Sequence, residues 1–305
     1  SSRGSCRSAR LRRRPTSMPN LIDLRRRIRS VKNTQQITSA MKMVSAAKLR
    51  RSENAIREAT PYANKLKSVV SSLSTRFDGK DQDTGFGLLF RDTGGKRTGV
   101  ILITSDRGLC GGFNSNLSKA LARQLADEEV ECAEFVILGR KGNEFFKRSA
   151  HNILANHTGT SPGEQLVLVR DIVSEFTSRF EAGDLDQVIL AYNHFISVIS
   201  QVPVIEQLLP IKPPEAASAD EREVLFEPSP EEILETLLKK YVQNQVYVSW
   251  LDTIAGEHAA RMTSMDAATK NAGEMIDKLQ LHYNRSRQAA ITSDLIEIIS
   301  GAESL

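Results

Sequence analysis

Residues 251–283, LDTIAGEHAARMTSMDAATKNAGEMIDKLQLHY, decide the fold. Leu251, His258, Met265, Ala272 and Leu279 recur every seven residues, and so do Ala255, Met262, Thr269, Ile276 and Tyr283. Two apolar or small positions per heptad are the pattern of a coiled-coil seam. No proline interrupts residues 231–300, so the pattern predicts one helix of about 105 Å at 1.5 Å per residue. A single domain of this size cannot bury a helix that long, so another long helix must cover the seam.

The amino-terminal region supplies it. Residues 20–77 read as a helix with Asn20 as N-cap and Asp23 in the first turn, where a carboxylate complements the helix dipole. Leu24, Ile28 and Val31 begin an apolar stripe. Ala59, Leu66 and Leu73 repeat by sevens, as do Ile56, Ala63, Val70 and Phe77. Pro61 lies within this run and predicts a kink or a local break.

The grammar changes between the two helices. Residues 78–96 are a glycine-rich loop. Strands are expected at Val100–Thr104, Phe135–Leu138, Ile153–Ala155, Val188–Tyr192 and Ser197–Leu209. Helices are expected at Asn114–Ala126, Gly142–Arg148 and Glu164–Phe180. Strands alternating with helices indicate a small α/β domain with a largely parallel sheet. Residues 211–230 form a linker rich in proline and acid. The organisation is therefore a basic extension over 1–17, a helix over 18–77, an α/β domain over 78–210, a linker over 211–230 and a helix over 231–305. The fold class is mixed α+β and α/β: a long antiparallel coiled coil of the terminal helices with an inserted small Rossmann-like domain.

Composition narrows the function. The chain has 305 residues, 40% hydrophobic and 26% charged, with three cysteines and no CxxC pair. That excludes a disulfide framework and a zinc ribbon and fits a reducing compartment. No apolar run reaches the length of a transmembrane helix. The net charge of +4 hides an asymmetry, because residues 1–67 hold 18 Lys and Arg against Asp23, Glu53 and Glu58. The excess suits an acidic partner, although most of these charges read as a solvated helix face. Residues 1–17 have the composition of a transit peptide. The helical pattern opening at Met18-Pro19-Asn20 favours in-frame translation upstream of Met18 instead, and predicts disorder for the extension.

The segment Thr104–Asn114, TSDRGLCGGFN, follows a strand and opens a helix, where a phosphate-binding loop would sit. It lacks the fingerprint, since Cys110 stands where a dinucleotide loop needs its second glycine. Gly95-Lys96 is no P-loop either, with Phe90 and Arg97 in the places of the required glycine and hydroxyl. A tight turn built from small residues explains the segment better. Cys110 reads as a small buried or half-buried residue rather than a reactive thiol. The five histidines show no ligand spacing, and His258 falls on the seam as a polar registry residue. No catalytic, cofactor-binding or metal-binding residue is expected. A nucleotide-using enzyme with helical arms fails for want of a phosphate loop. A nucleic-acid-binding coiled coil fails because the basic residues lie in a seam-bearing helix with few aromatics.

Both helix tips carry small and polar residues where a lasting coiled coil would place leucine, in Asn33–Lys48 (NTQQITSAMKMVSAAK) and after Tyr283. Fraying accounts for this, and so does enclosure by another protein.

Three stretches carry a resemblance. Met18–Arg51, Ser105–Asn116 (SDRGLCGGFNSN) and Glu257–Ala272 with Tyr283–Leu305 resemble, in order, the amino-terminal helix, the central signature and the carboxyl-terminal helix of the gamma subunit of the F-type rotary ATP synthase. The resemblance covers essentially everything after residue 17. It implies a non-catalytic central shaft, one copy per complex, standing inside a ring of alpha and beta subunits. The shaft would contact an epsilon subunit and a membrane rotor ring, with no nucleic acid and no cofactor. It implies partner contacts at Met41, Lys42 and Arg261 with a beta lever loop, at Glu227 with the rotor ring, and at Arg287, Gln288, Thr292 and Asp294 near the top of the alpha–beta ring. Asp294 stands where the family usually has Glu, which keeps the charge and shortens the reach. The chain lacks the cysteine-bearing insertion of the chloroplast type. With the Met18 start this points to a bacterial protein, peripheral on the cytoplasmic side of the inner membrane.

Overall fold

The structure, a computed structural model, describes residues 21–74, 85–91, 94–130, 132–212 and 230–303. The basic extension, Asn20, Glu227 and most of the linker lie outside the described residues. The elements run α1 (Leu21–Ser74), a short 3-10 helix (Gly85–Phe90), β1 (Thr98–Ile103), α2 (Phe113–Asp127), β2 (Glu134–Leu138), α3 (Arg140–Phe146), β3 (Asn152–His157), α4 (Gln165–Glu181), β4 (Gln187–Phe195), β5 (Gln201–Leu209) and α5 (Pro230–Glu303). Two compact units divide the chain. One holds the described parts of Ser1–Thr38 and Ala268–Leu305, and the other is Ser39–Ala267.

The first unit is a pair of antiparallel helical segments. Arg25 donates from Nε to the Tyr283 hydroxyl at 2.8 Å, with its guanidinium 5.3 Å from the ring centroid. Further along, the Thr38 and Thr269 hydroxyls meet at 2.7 Å, and Gln35 Nε2 donates to the Thr269 carbonyl at 3.5 Å. A step up α1 is matched by a step back along α5, as antiparallel helices require. Leu24, Thr38, Ala272 and Tyr283 are buried on this seam, and Ile28, Gln35, Thr269, Ile276 and Leu279 beside them are half-buried. Beyond Tyr283 the exposure rises, and every residue from Ile291 to Ser300 is exposed.

The second unit contains a five-stranded sheet in the order β3-β2-β1-β4-β5. All pairings are parallel except β4 with β5. Alternation along each strand builds two cores. Ile101, Ile103, Val136, Leu138, Val188 and Leu190 share one core with α4, with Leu66 and Val70 of α1, and with Leu238, Val242, Val246 and Trp250 of α5. Val100, Leu102, Phe135, Ile137, Ile189 and Ala191 share the other with Leu117, Leu121 and Leu125 of α2 and Phe146 next to them. Helices on both faces of a mostly parallel sheet, with strand order reversing beside β1, make the inserted domain Rossmann-like. A clasp of a buried carboxylate and an exposed guanidinium sets the start of β1 against that of β4. Asp186 accepts from the Arg97 backbone N–H and Nε at 2.9 Å each and from Nη2 at 2.8 Å.

Helix α1 continues through Pro61, so the expected local break is absent. The ring removes one backbone donor, and the helix persists because Ala59, Ala63, Leu66 and Val70 still pack along the same stripe on both sides of it. The last strand begins at Gln201 rather than Ser197. Residues Ser197–Ser200 instead close a turn through three backbone bonds, from Ile196 and Ser197 to the Ser200 carbonyl and from Ser200 to the Ser197 carbonyl. The side-chain oxygen of Ser197 also accepts from the Ser200 N–H, the local competition with strand pairing that serine offers.

Phe176 on α4 is 2% exposed and fills the space above Gly99, where an added Cβ would lie 2.7 Å from its ring. Phe176→Ala is expected to lower unfolding stability by about 3–5 kcal/mol through the cavity it leaves. The shift of the urea midpoint of the full chain measures it.

Candidate functional site

The loop between β1 and α2 and the face of α5 opposite it form a polar cluster within the second unit. Thr104 leaves β1 with its N–H bonded to the Leu138 carbonyl at 2.7 Å. Its Oγ1 accepts from the Gly142 N–H at 2.9 Å. Gly139 makes this approach possible: at φ 108 it has a conformation that side chains resist, and a Cβ there would lie 2.1 Å from the Thr104 carbonyl oxygen. Asp106 then gathers three strand ends, accepting from the Arg140 N–H at 3.0 Å and the Gly159 N–H at 2.8 Å. Asn114 reaches back from the first turn of α2. Its Oδ1 accepts from the Ser105 N–H at 3.0 Å, and its Nδ2 donates to Ser105 Oγ at 2.7 Å and to Cys110 Sγ at 3.2 Å. The small residues of Thr104–Asn114 thus build a turn, as the sequence indicated. Cys110 is buried against Phe113 and Ala260, and that burial pushes its thiol pKa up, which suppresses the thiolate.

Arg261 of α5 meets this loop from the other side. Its Nε donates to the Gly108 carbonyl at 3.2 Å, and its Nη2 to the carbonyls of Arg107 at 3.1 Å and Gly108 at 3.2 Å. Its Nη1 pairs with Glu257 Oε1 at 2.7 Å, one helical turn back. The Arg261 side chain is only 8% exposed. Burial pushes the Glu257 carboxyl up from its usual range, and the Arg261 charge pulls it back. His258 lies beside them with Nδ1 3.5 Å from Arg261 Nη1. Burial, then the charges of Arg261 and Lys48, press its pKa down to about 4. A cavity of about 350 Å³ opens beside the cluster, lined among others by Gly111, Asn116, Asn193, Gln201 and Ser264. It sits at the carboxyl ends of β1 and β4, where the strand order reverses.

The other residues singled out from the sequence lie apart from this cluster. Met41 is half-buried on α1, and Lys42 pairs with Asp266 of α5 at 2.6 Å. Arg287, Gln288, Thr292 and Asp294 are exposed on α5 within the first unit, where Thr292 Oγ1 donates only to the Gln288 carbonyl of its own helix. Of the expected contact residues that lie among the described residues, Arg261 alone is buried by its own chain. Glu257 was not singled out, although Glu and Arg four apart on a helix are a recognisable pairing signal. Nothing local in the sequence points to the Arg107 and Gly108 carbonyls as their partners. Among the described residues no group of three or more His, Cys, Asp or Glu side chains converges as a metal site, and no helix is long and apolar enough to cross a membrane.

The class these features define is a pair of long terminal helices that carries an inserted Rossmann-like sheet and locks the sheet's first loop to one of them. The family model described as ATP synthase matches residues 20–305. An ATP synthase gamma chain of Pelotomaculum thermopropionicum is 43% identical over 289 residues, covering 94% of this chain and all of the relative. One from Geobacter sp. strain M21 is 46% identical over 292 residues, covering 94% and 99%. Among solved structures, a chain of the central stalk and c-ring of the Tetrahymena thermophila mitochondrial ATP synthase is 25% identical, with a TM-score of 0.55 over 76% of this chain and 99% of that one. A rotor chain of the Euglena gracilis mitochondrial enzyme shares the fold, with a TM-score of 0.60 at 18% identity. This chain belongs to the ATP synthase gamma chain family.

His258 makes stability depend on pH. Its folded pKa near 4 lies below its ordinary 6.5, so the unfolded chain binds the proton more tightly. Its contribution is therefore present above about pH 6.5 and is lost as pH falls toward 4. The parent is expected to lose on the order of 1–2 kcal/mol relative to His258→Gln across that window, an amount discounted for the ring's partial exposure. Paired urea titrations at pH 7 and near pH 4.5 check the sign, and an unchanged difference between the two chains would show that the ring is not held neutral.

Proposed function

We propose that this chain is the central rotor shaft of an F-type ATP synthase. It couples proton-driven rotation of a membrane ring to ATP synthesis or hydrolysis at beta-subunit sites and carries no catalytic site of its own. Its partners in this reading are the alpha and beta subunits of the ATPase ring, an epsilon subunit and the membrane rotor ring, with one copy per complex. It sits peripherally on the cytoplasmic side of a bacterial inner membrane. Family membership supports the reading, as does the likeness to a chain solved within a central stalk.

The carboxyl-terminal end of α5 is the observation that carries the proposal. Ile291, Leu295, Ile296, Ile298 and Ile299 are each more than half exposed in the chain alone. Their spacing spreads them over a broad arc of the helix rather than a narrow stripe. A single partner helix would cover a stripe, whereas an arc calls for a sleeve, and bare apolar patches of this kind are poorly tolerated in water. Arg287, Gln288, Thr292 and Asp294 are interspersed with these residues and offer polar groups to successive subunits as the shaft turns. In this reading Met41 and Lys42 face a beta lever loop, Arg261 acts on it through the loop it carries, and Glu227 lies at the rotor ring. A shaft can bias a catalytic site only by touching its open and closed states differently. That is why an uneven surface, rather than a reactive group, serves this function.

Purifying the complex through a tag on this chain tests the proposal. One copy per hexameric ATPase is expected. Deletion of Asp294–Leu305 is expected to weaken assembly and torque several-fold while leaving ATP hydrolysis measurable. Complexes with that deletion that pump protons per ATP as the parent does would remove the end of α5 from the mechanism. Failure to recover any hexameric ATPase with the parent chain would overturn the assignment itself.

A further inference from the structure

We propose that Arg261, braced by Glu257, is an internal latch: a positioning residue that holds the β1–α2 loop on α5, so that the sheet and the helix move as one body. Four observations converge on it. The guanidinium directs three N–H groups at two successive backbone carbonyls of one loop, and its remaining edge meets a carboxylate. Only a planar fork with several donors does this, and a lysine ammonium cannot. The residue that follows those carbonyls, Leu109, has φ 64, a left-handed conformation that leucine adopts only when its surroundings impose it. The loop touches α5 closely on either side of the latch. A Cβ on Gly256 would lie 2.9 Å from the Phe113 ring, and one on Gly111 would lie 3.1 Å from Ser264 Oγ. Finally, both members of the ion pair are nearly enclosed, at 8% and 15% side-chain exposure, so neither is free to serve as an ordinary solvated charge.

The latch also shields Cys110, which gives it a direct readout. Cys110 belongs to the loop and is buried against Phe113 and Ala260, and Cys132 is exposed. Alkylation of the full native chain by iodoacetamide, followed at each cysteine by mass spectrometry, reports loop opening. Arg261→Lys and Arg261→Gln are each expected to speed modification of Cys110 by about tenfold or more while the rate at Cys132 stays as in the parent. Parent-like rates at Cys110 in both variants would show that something else holds the loop.

A second arm separates an internal latch from a direct contact between Arg261 and another subunit, and it rests on the rotor reading above. A Cβ on Gly111 would lie 3.1 Å from Ser264 Oγ, within reach of a covalent link, while its φ of 59 strains any side chain there, so the reduced double-cysteine chain is the control. In a Cys110→Ala background, Gly111→Cys with Ser264→Cys replaces the latch by a covalent bond. In assembled complexes, Arg261→Gln is expected to cut proton pumping per ATP hydrolysed several-fold. The oxidised disulfide is expected to restore it, and a reductant to remove it again. Loss of pumping that the disulfide does not rescue, in complexes where its formation is verified, would overturn the latch. If parent complexes themselves do not pump, the rotor reading fails, and the alkylation rates still decide the latch.

Discussion

The side-by-side pairing of the first helix with the last is the constraint on which the rest of the structure depends. In each compact unit α1 and α5 run antiparallel, and neither could survive alone: a single long helix with one apolar stripe has nowhere to bury it. The pairing joins residues as far as 258 positions apart, so its loop-closure cost falls on the whole intervening chain. The inserted sheet shortens that path. It folds around its own two cores and brings Leu66 and Val70 of α1 into the same cluster as Leu238, Val242 and Val246 of α5. The sheet is therefore both cargo of the helical pair and the clip that helps close it.

The seam itself is not built for maximum stability. Thr38, Ser45 and Ser52 are buried at positions where a permanent coiled coil would hold leucine, and Ala255 and Ala259 face Leu49. Small residues bring the helices close, while hydroxyls exchange bonds across the gap, as between Thr38 and Thr269. A polar seam sacrifices burial energy and gains register, because a hydroxyl displaced by one turn loses its partner. Arg25 with Tyr283 and Lys42 with Asp266 serve the same end nearer the surface. For a pair of helices under mechanical load, resistance to slipping matters more than resistance to melting.

How much of this was legible in the sequence follows from the range of the interactions. Heptad spacing fixes a face locally, so the burial of Leu251, Ala255, Met265, Ala272 and Tyr283 was readable, as were the strands around Val100 and Phe135 and the turn chemistry of Thr104–Asn114, whereas the burial of Asp252, Thr253, Ala259, Ala260 and Arg261 against the sheet domain was not. Pro61 misled because the usual penalty for proline is a local quantity, and packing along the stripe outweighs it. The start of β5 was misplaced because the serines at 197 and 200 satisfy each other's backbone, a choice invisible to hydropathy. The grip of Arg261 on the Arg107 and Gly108 carbonyls was not legible at all. It joins a side chain to backbone atoms 153 and 154 residues away, and backbone carbonyls carry no sequence signature. The exposure of Ile291–Ile299 was legible only as an oddity of composition.

The position of α5 against the sheet has one further meaning. In open sheets of this kind, the crevice where the strand order reverses, at the carboxyl ends of the strands, is the seat for a soluble ligand. Here α5, with Arg261 gripping the loop and Ser264 facing it, forms one wall of the corresponding seat beside β1 and β4 and leaves a cavity of about 350 Å³. Where a nucleotide-binding relative of the fold would turn amide groups toward an anion, this loop turns carbonyls toward a cation. The domain is in effect a receptor whose ligand is another stretch of the same polypeptide. Tethering makes occupancy intramolecular and therefore independent of any metabolite concentration. An architecture shared with enzymes that respond to their cofactors has here a wall supplied by its own chain.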